Sequence, residues 1–370
     1  MNENNKTTKD LSLMQVEGAL DRKAIESLFT SLKTGVYYTF DFSNATTINF
    51  AAMRTMLNYR QAGFRFSIIN ANDSIAEKLE DTGVASIINM CRKPKHLDIS
   101  KYQEFGGSFL SKSFNSNDGD SMLKLYGPNV PKRMVAQEKS VAKAVMLFGI
   151  PTPLVGTLYE DGDMTALDFE RIEGKKSFSR IIANEPDRLE EITVRFARMC
   201  KQLHTTPCDT NIFADRSVTY RQAIVNLKEF NDEEKEQMLD FVNNIPVHTT
   251  CLHGDCQMSN VITNGEIDLW IDLADFGYGN PMFDMGMWYF LSRLNTEENM
   301  IKVFNFGKET MDKIWPIFVR EYFGADTPEK QAEAERQIEP FAALHMAYLS
   351  SVYFSMPFMI EYIRKTLLKQ

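Results

Sequence analysis

The sequence predicts two folds in one chain: an α/β domain over residues 1–98 and an α+β domain over 99–370. The second divides into a β-rich lobe, about 99–172, and a helical lobe, about 173–370. Three observations predict this. Segments of strand and helix length alternate up to about residue 98, a strand–turn–strand pattern replaces them just after residue 100, and helical periodicity dominates from about residue 187.

In the first part LSLMQVEG (11–18), YYTFDFS (37–43) and FRFSIIN (64–70) read as strands. Between them, 21–35 and 51–63 carry apolar residues at helical spacing and end near Gly35 and Gly63, as a C-terminal cap requires. DSIAEKLEDTG (73–83) repeats the pattern, with Asp73 and Ser74 as N-cap candidates and Gly83 as the stop. Such alternation points to an open sheet with helices packed on it.

In the second part KYQEFGGSFLSKSFN (101–115) and SMLKLYG (121–127) read as strands joined by the polar turn NSNDGD. A helix follows over 131–149, with Pro131 suited to its first turn and Gly149 to its end. ALDFERI (166–172) reads as a further strand. Beyond it, LEEITVRFARMCKQLH, about 217–243 and most of 296–369 are helical, interrupted by the motif-rich stretch 251–290.

Of the 370 residues, 44% are hydrophobic and 25% charged, an ordinary globular balance. The net charge of −9 provides no global basic surface for nucleic acid or an anionic membrane. Five cysteines, an odd number without zinc or redox spacing, read as reduced core thiols. The polar start MNENNKTTKD lacks a secretory core, and no apolar run reaches the roughly 18 residues of a membrane span, so a cytoplasmic protein is expected.

The chemistry concentrates in His253-Gly254-Asp255, then Asn260, then Ile271-Asp272-Leu273-Ala274-Asp275-Phe276-Gly277. Asp272 ends a strand, preceded by a turn-like Asn264-Gly265, while Asp255 and Asn260 lie in a loop before it. Phosphoryl transfer needs positioning and charge neutralisation rather than covalent help. One carboxylate takes or orients the proton of the attacking hydroxyl, and two further oxygen ligands hold Mg²⁺, which keeps the rest of its sphere for water and phosphate. Asp255 fits the first role, and Asn260 with Asp272 the second.

The pattern HGDxxxxN followed by IDxxDxGxGxPxxD, running through Gly279-Asn280-Pro281 to Asp284, resembles aminoglycoside phosphotransferases and choline kinases. LHTTP (203–207) is similar to the Leu-His segment upstream in those kinases, and the resemblance covers about residues 104–370. It implies a two-lobed, protein-kinase-like phosphotransferase fold, ATP or GTP as donor, Mg²⁺, and a small hydroxylated acceptor such as an amino alcohol, a sugar or an aminoglycoside. Asp275-Phe276-Gly277 also spells the DFG of protein kinases, but the resemblance places the metal ligand at Asp272; Asp275 is the alternative, otherwise a structural carboxylate bonding backbone amides. Asp284 is expected to cap the next helix or orient the catalytic loop. His204, His248 and His345 give no ligand cluster in the sequence.

On the nucleotide side, Gly106-Gly107-Ser108 can bring backbone amides to the phosphates. Lys124, the single charge in an apolar strand, needs an anionic partner, and Glu138 is the expected one, with Glu160 competing. The pair resembles the lysine–glutamate clamp of kinases. Phe169–Gly174 resembles the interlobe hinge, where the backbone of Glu170 and Ile172 would bond adenine. The aromatic residues Trp288, Tyr289, Phe290, Trp315, Tyr348, Tyr353 and Phe354, with Met356, read as helix core ahead of a cation box.

Gly18-Ala19-Leu20-Asp21, Asp41–Thr46 and Asp81-Thr82-Gly83-Val84 make residues 9–95 resemble a STAS domain, the fold of anti-sigma-factor antagonists. Phosphoswitch members carry serine at the second helix start; here Asn49-Phe50-Ala51-Ala52 has no hydroxyl, which implies a docking or self-association module, with a purely structural α/β layer as the alternative. The rival to a small-molecule kinase is therefore a nucleotide-sensing regulatory protein that docks a partner through this domain. A protein kinase is disfavoured by HGD in place of HRD and by the lack of an Ala-Pro-Glu segment.

Overall fold

The computed structural model describes residues 13–107 and 111–368. The chain forms two compact units, one ending at Glu173 and the other starting at Gly174, so position 98 falls inside the first.

The first unit opens with β1 (Leu13–Leu20), α1 (Arg22–Phe29), β2 (Tyr37–Ile48), α2 (Phe50–Gln61), β3 (Arg65–Ala71), α3 (Asp73–Asp81) and β4 (Met90–Arg92). The four strands are parallel in the order β1-β2-β3-β4. Apolar residues of β2 and β3, including Phe40, Phe42, Phe66 and Ile68, are fully buried against the helices, each contributing roughly 1.5–3 kcal/mol. Phe29 anchors this core, stacked on Tyr59 and edge-on to Phe40, Phe64 and Phe66. Asp21, Asn49 and Asn72 cap the three helices by accepting from Ala24, Ala52 and Ile75 N–H. The α3 cap is thus Asn72, not Asp73 or Ser74: Asn72 keeps the extended backbone a cap needs, and Asp73 is already helical.

A second sheet follows: β5 (Lys95–His96), β6 (Tyr102–Gly107), β7 (Ser111–Ser116), β8 (Ser121–Tyr126), β9 (Val155–Asp161) and β10 (Met164–Glu170), with α4 (Lys132–Leu147) between β8 and β9. Its order is β5-β9-β10-β8-β7-β6. The single strand expected over 101–115 is two antiparallel strands instead. Gly107 explains this: a Cβ there would sit 2.6 Å from the Ser111 carbonyl oxygen, an approach only glycine permits. β9 escaped the sequence reading because Gly156 and Asp161 interrupt a short apolar pattern.

The second unit comprises β11 (Lys176–Ser177), α5 (Phe178–Asn184), α6 (Leu189–Thr205), β12 (Ala214–Asp215), α7 (Arg216–Asn226), α8 (Asp232–Asn243), β13 (Thr250–Leu252), β14 (Val261–Thr263), β15 (Asp268–Trp270), β16 (Gly277–Gly279), α9 (Met282–Tyr289), α10 (Glu297–Phe304), α11 (Lys308–Phe323), α12 (Pro328–Val352) and α13 (Pro357–Leu367). Two small sheets, β11-β14-β15 and β12-β16-β13, sit among the helices. The β14–β15 hairpin turns at Asn264, whose side chain accepts from Glu266 and Ile267 N–H. α9 approaches α12 so closely at Gly286 that a Cβ would meet the Phe341 carbonyl carbon at 2.4 Å. Among the described residues, no helix is long and apolar enough to cross a membrane.

Candidate functional site

The two small sheets present two adjacent loops. One, between β13 and β14, carries His253, Gly254, Asp255 and Asn260; the other, between β15 and β16, carries Asp272 and Asp275. Pairing of β14 with β15 ties them together, and the Ile271 N–H donates to the Asn260 carbonyl (2.9 Å).

The Asp255 carboxylate is held by two neutral amides: Asn260 Nδ2 donates to Oδ2 (2.8 Å) and Gln257 Nε2 to Oδ1 (3.0 Å). Asn260 Nδ2 also reaches the Asp255 carbonyl (2.9 Å), which fixes the loop's curvature. Burial pushes the Asp255 carboxyl up from 3.8 to about 7; the charges of Asp272 and Asp275 push the same way, and the two amides pull against them. Asp272, exposed, sits with left-handed backbone (φ 58°, ψ 56°), and its charge is felt at both Asp255 and His253. The three sequence-predicted residues are thus together on one pair of loops.

The loop is braced from below. Gly254 has φ +81°, and a Cβ there would lie 2.2 Å from the Asp275 carbonyl oxygen, so glycine alone lets the two loops touch. Asp284, 2% exposed, accepts from the N–H groups of His253 (2.7 Å) and Gly254 (2.9 Å) and from His204 Nε2 (3.0 Å). Burial opposes the charge on Asp284, but those hydrogen bonds and the neighbouring histidines outweigh it and hold its pKa low. His204 Nδ1 accepts in turn from the Tyr322 hydroxyl (2.6 Å). Of the two roles expected for Asp284, its contacts serve the orienting of the loop that carries Asp255. His253 takes its Asp255 N–H bond at Nδ1 and donates from Nε2 to the Ile271 carbonyl (3.0 Å); burial lowers its pKa, so it is a neutral spacer between the loops.

Asp275 pairs with Arg216, a buried guanidinium 3.2 Å away. The sequence shows no histidine ligand cluster, but the fold brings His204, Cys256 and Asp284 within 4.8 Å. Asp284 and His204 are committed to the hydrogen bonds above, and the cluster serves as a brace. All five cysteines are buried and free.

The nucleotide-side candidates lie in the first unit. Lys124 Nζ is 3.2 Å from Glu138 Oε1, and the Tyr126 hydroxyl donates to Glu138 Oε2 (2.7 Å). Glu160 pairs with Lys132 instead. Gly106 and Gly107 end β6, and Ser108 lies outside the described residues. Glu170 ends β10 with its N–H donated to the Leu154 carbonyl (2.8 Å), which removes that N–H from the expected adenine contacts and leaves its carbonyl side as the candidate. Ile172 is buried just beyond.

Sequence reasoning missed Gln257, Tyr126 and Arg216. Tyr126 was findable, since strand alternation puts residue 126 on the face of residue 124; the other two carry no local signal. The expected helix-core aromatics divide: Trp288, Tyr289, Phe290 and Trp315 are buried, whereas Tyr353 (63% exposed), Phe354 and Met356 are exposed in the α12–α13 connection. The Tyr353 hydroxyl is crowded although the side chain as a whole is exposed, and this crowding raises its pKa, with the charges of Asp275 and Asp255 acting the same way.

A family profile described as the phosphotransferase enzyme family matches residues 102–305. The chain belongs to that family. No curated protein matches it. Among solved structures it is similar to an aminoglycoside-3'-phosphotransferase of type VIII, at 18% identity over 67% of this chain and 94% of that one, with a TM-score of 0.44. It is also similar to the ADP-bound aminoglycoside phosphotransferase APH(2'')-Ib (15%, 74% and 94%, 0.47). A choline/ethanolamine kinase family protein from Mesorhizobium loti gives 14% identity, 72% and 85% coverage and 0.41.

Proposed function

We propose that this phosphotransferase moves the γ-phosphoryl group of ATP or GTP to a hydroxyl of a small molecule, with Asp255 as base. One observation carries the reading: a carboxylate with its pKa near 7, oriented by two amides on a braced loop beside Asp272. Asp255 accepts or orients the acceptor's hydroxyl proton. Asn260 and Asp272 supply hard oxygen donors, and the acids Asp272 and Asp275, which add to burial in raising Asp255, suit a divalent cation, so the donor set fits Mg²⁺. When bound, Mg²⁺ would neutralise phosphate charge. Lys124, steered by Glu138, is assigned to the phosphates, as are the backbone amides at Gly106, Gly107 and Ser108; the Glu170 carbonyl and the Ile172 backbone are assigned to the nucleobase.

The acceptor side is assigned to the α12–α13 connection, where Tyr353 stands in the field of Asp255. Residues 1–98 are assigned to a STAS-like module that docks a partner protein or a second copy of the chain, with 99–370 as the kinase proper. A screen of amino alcohols, sugars and aminoglycosides, read as acceptor-dependent ADP or GDP release with Mg²⁺, tests the reading. A set of acceptors that accelerates release supports it. Nucleotide binding with no turnover on any hydroxyl compound favours the nucleotide-sensing alternative.

A further inference from the structure

The phosphate-clamp reading leaves open why an α/β layer precedes the β-rich lobe in this chain. The helix α4 answers it. Residues two apart on an α-helix point about 200° from each other. Glu138 faces Lys124 and Tyr126 on β8. Ser140, two residues on, therefore faces the opposite way, and its carbonyl accepts from Asn89 Nδ2 (2.8 Å), in the segment leading into β4 of the first sheet. Asn89 is itself anchored, because its carbonyl accepts the Ile68 N–H of β3 (2.8 Å).

Apolar packing runs the same course. Ile69 of β3 and Cys91 of β4 share one buried cluster with Val135 and Ala136 of α4 and with Tyr126, Leu158 and Leu167 of the second sheet. The surrounding charges do not replace this hold. Lys139 of α4 faces Cys91 and Asp168, and Lys139 and Lys143 act on Glu80, which is bridged to Arg92 (2.6 Å). The Ser140 hydroxyl is buried without a partner, so the polar contact at this point is the Asn89 bond to the backbone.

We infer that the N-terminal α/β layer is a positioning module for the nucleotide clamp, with Asn89 the positioning residue that holds α4 so that Glu138 meets Lys124. Asn89 touches no reacting group; it acts through the helix. The inference rests on the assignment of Lys124 and Glu138 to the phosphates.

The test is a double-mutant cycle in the full chain, measuring KM for nucleotide, kcat and Tm for Asn89→Asp, Glu138→Gln and the pair, with Ser140→Ala as control. Asn89→Asp removes the donor and sets a carboxylate against the Ser140 carbonyl at nearly unchanged volume. The expected result is a several-fold rise in nucleotide KM for Asn89→Asp, little change for Ser140→Ala, and no added rise when Asn89→Asp is placed in Glu138→Gln. Asn89→Gln, which keeps an amide donor, should recover part of the loss. A fall in Tm with unchanged KM overturns the inference, and so does a KM effect of equal size in the Glu138→Gln background, because Asn89 would then act elsewhere. If Glu138→Gln alone leaves nucleotide KM unchanged, the clamp assignment has failed, and with it the functional inference drawn from it. Should Asn89→Asp not fold, Asn89→Ala carries the same cycle.

Discussion

Two charged clusters, one in each unit, are built on opposite principles. In the first, Lys124 and Glu138 pair directly, and Tyr126 donates to the remaining carboxylate oxygen, so a nearly buried charge is satisfied from within. In the second, Asp255 is held by uncharged amides while Asp272 and Asp275 act on it with charge of its own sign. A balanced pair fixes geometry. A crowded set of acids raises the cost of charging any one of them. The contrast teaches that the first cluster balances its charge from within, whereas the second leaves acids of like sign side by side, the arrangement the proposed cation requires.

The sharpest way to break the second cluster is from below. Asp284→Ala orphans the buried N–H groups of His253 and Gly254 and frees His204, so a loss of about 3–5 kcal/mol is expected, as for other broken buried charge networks. Chemical denaturation measures it. Residual folded protein should turn over at least ten-fold more slowly, because the loop carrying Asp255 loses its register. An unaltered denaturation midpoint would show that the brace contributes nothing.

Breaking the first cluster should do less to stability and more to nucleotide affinity. Lys124→Met leaves Glu138 with Tyr126 as donor but without its countercharge, so about 1–3 kcal/mol is expected to be lost. Nucleotide KM should rise about ten-fold, the equivalent of ~1.4 kcal/mol. Steady-state kinetics against nucleotide concentration reads this directly, and an unchanged KM would remove Lys124 from the phosphates.

The two clusters also differ in how far they could be read beforehand. The three strands and three helices up to residue 83 follow from periodicity, since each buries one face of a local pattern, whereas β4 (Met90–Arg92) is too short to show a period. Asp255, Asn260 and Asp272 were legible because a short chain stretch fixes their spacing. Lys124 with Glu138 was legible because a lone charge in an apolar strand demands a partner. Gln257, Arg216 and Asn89 were not, because their partners are chosen by tertiary packing. The break of the 101–115 strand was missed because only the fold shows that Gly107 must pass against Ser111.

A smaller effect separates the clusters by pH. In the protein without metal or nucleotide, Asp255 has its pKa raised to about 7 from 3.8. Between those values the folded state binds more protons than the unfolded one, so this group makes stability fall as pH rises from about 4 to about 7. Asp255→Asn should remove that contribution and raise Tm at neutral pH by several degrees, each 1 kcal/mol being worth about 2–4 °C in a chain of this class. Thermal melts from pH 4 to 8 compare the two proteins; parallel curves would mean that the carboxyl titrates normally.

The account turns on Asp255 acting in the chemical step while the nucleotide is held by other residues. The direct measurement pairs single-turnover phosphoryl transfer with nucleotide binding for Asp255→Ala, using an acceptor found in the screen. Transfer should fall by at least about 10³-fold, the scale of a lost catalytic base with its orienting role, while nucleotide affinity stays within a few-fold of the parent. Near-normal transfer by Asp255→Ala would contradict the account.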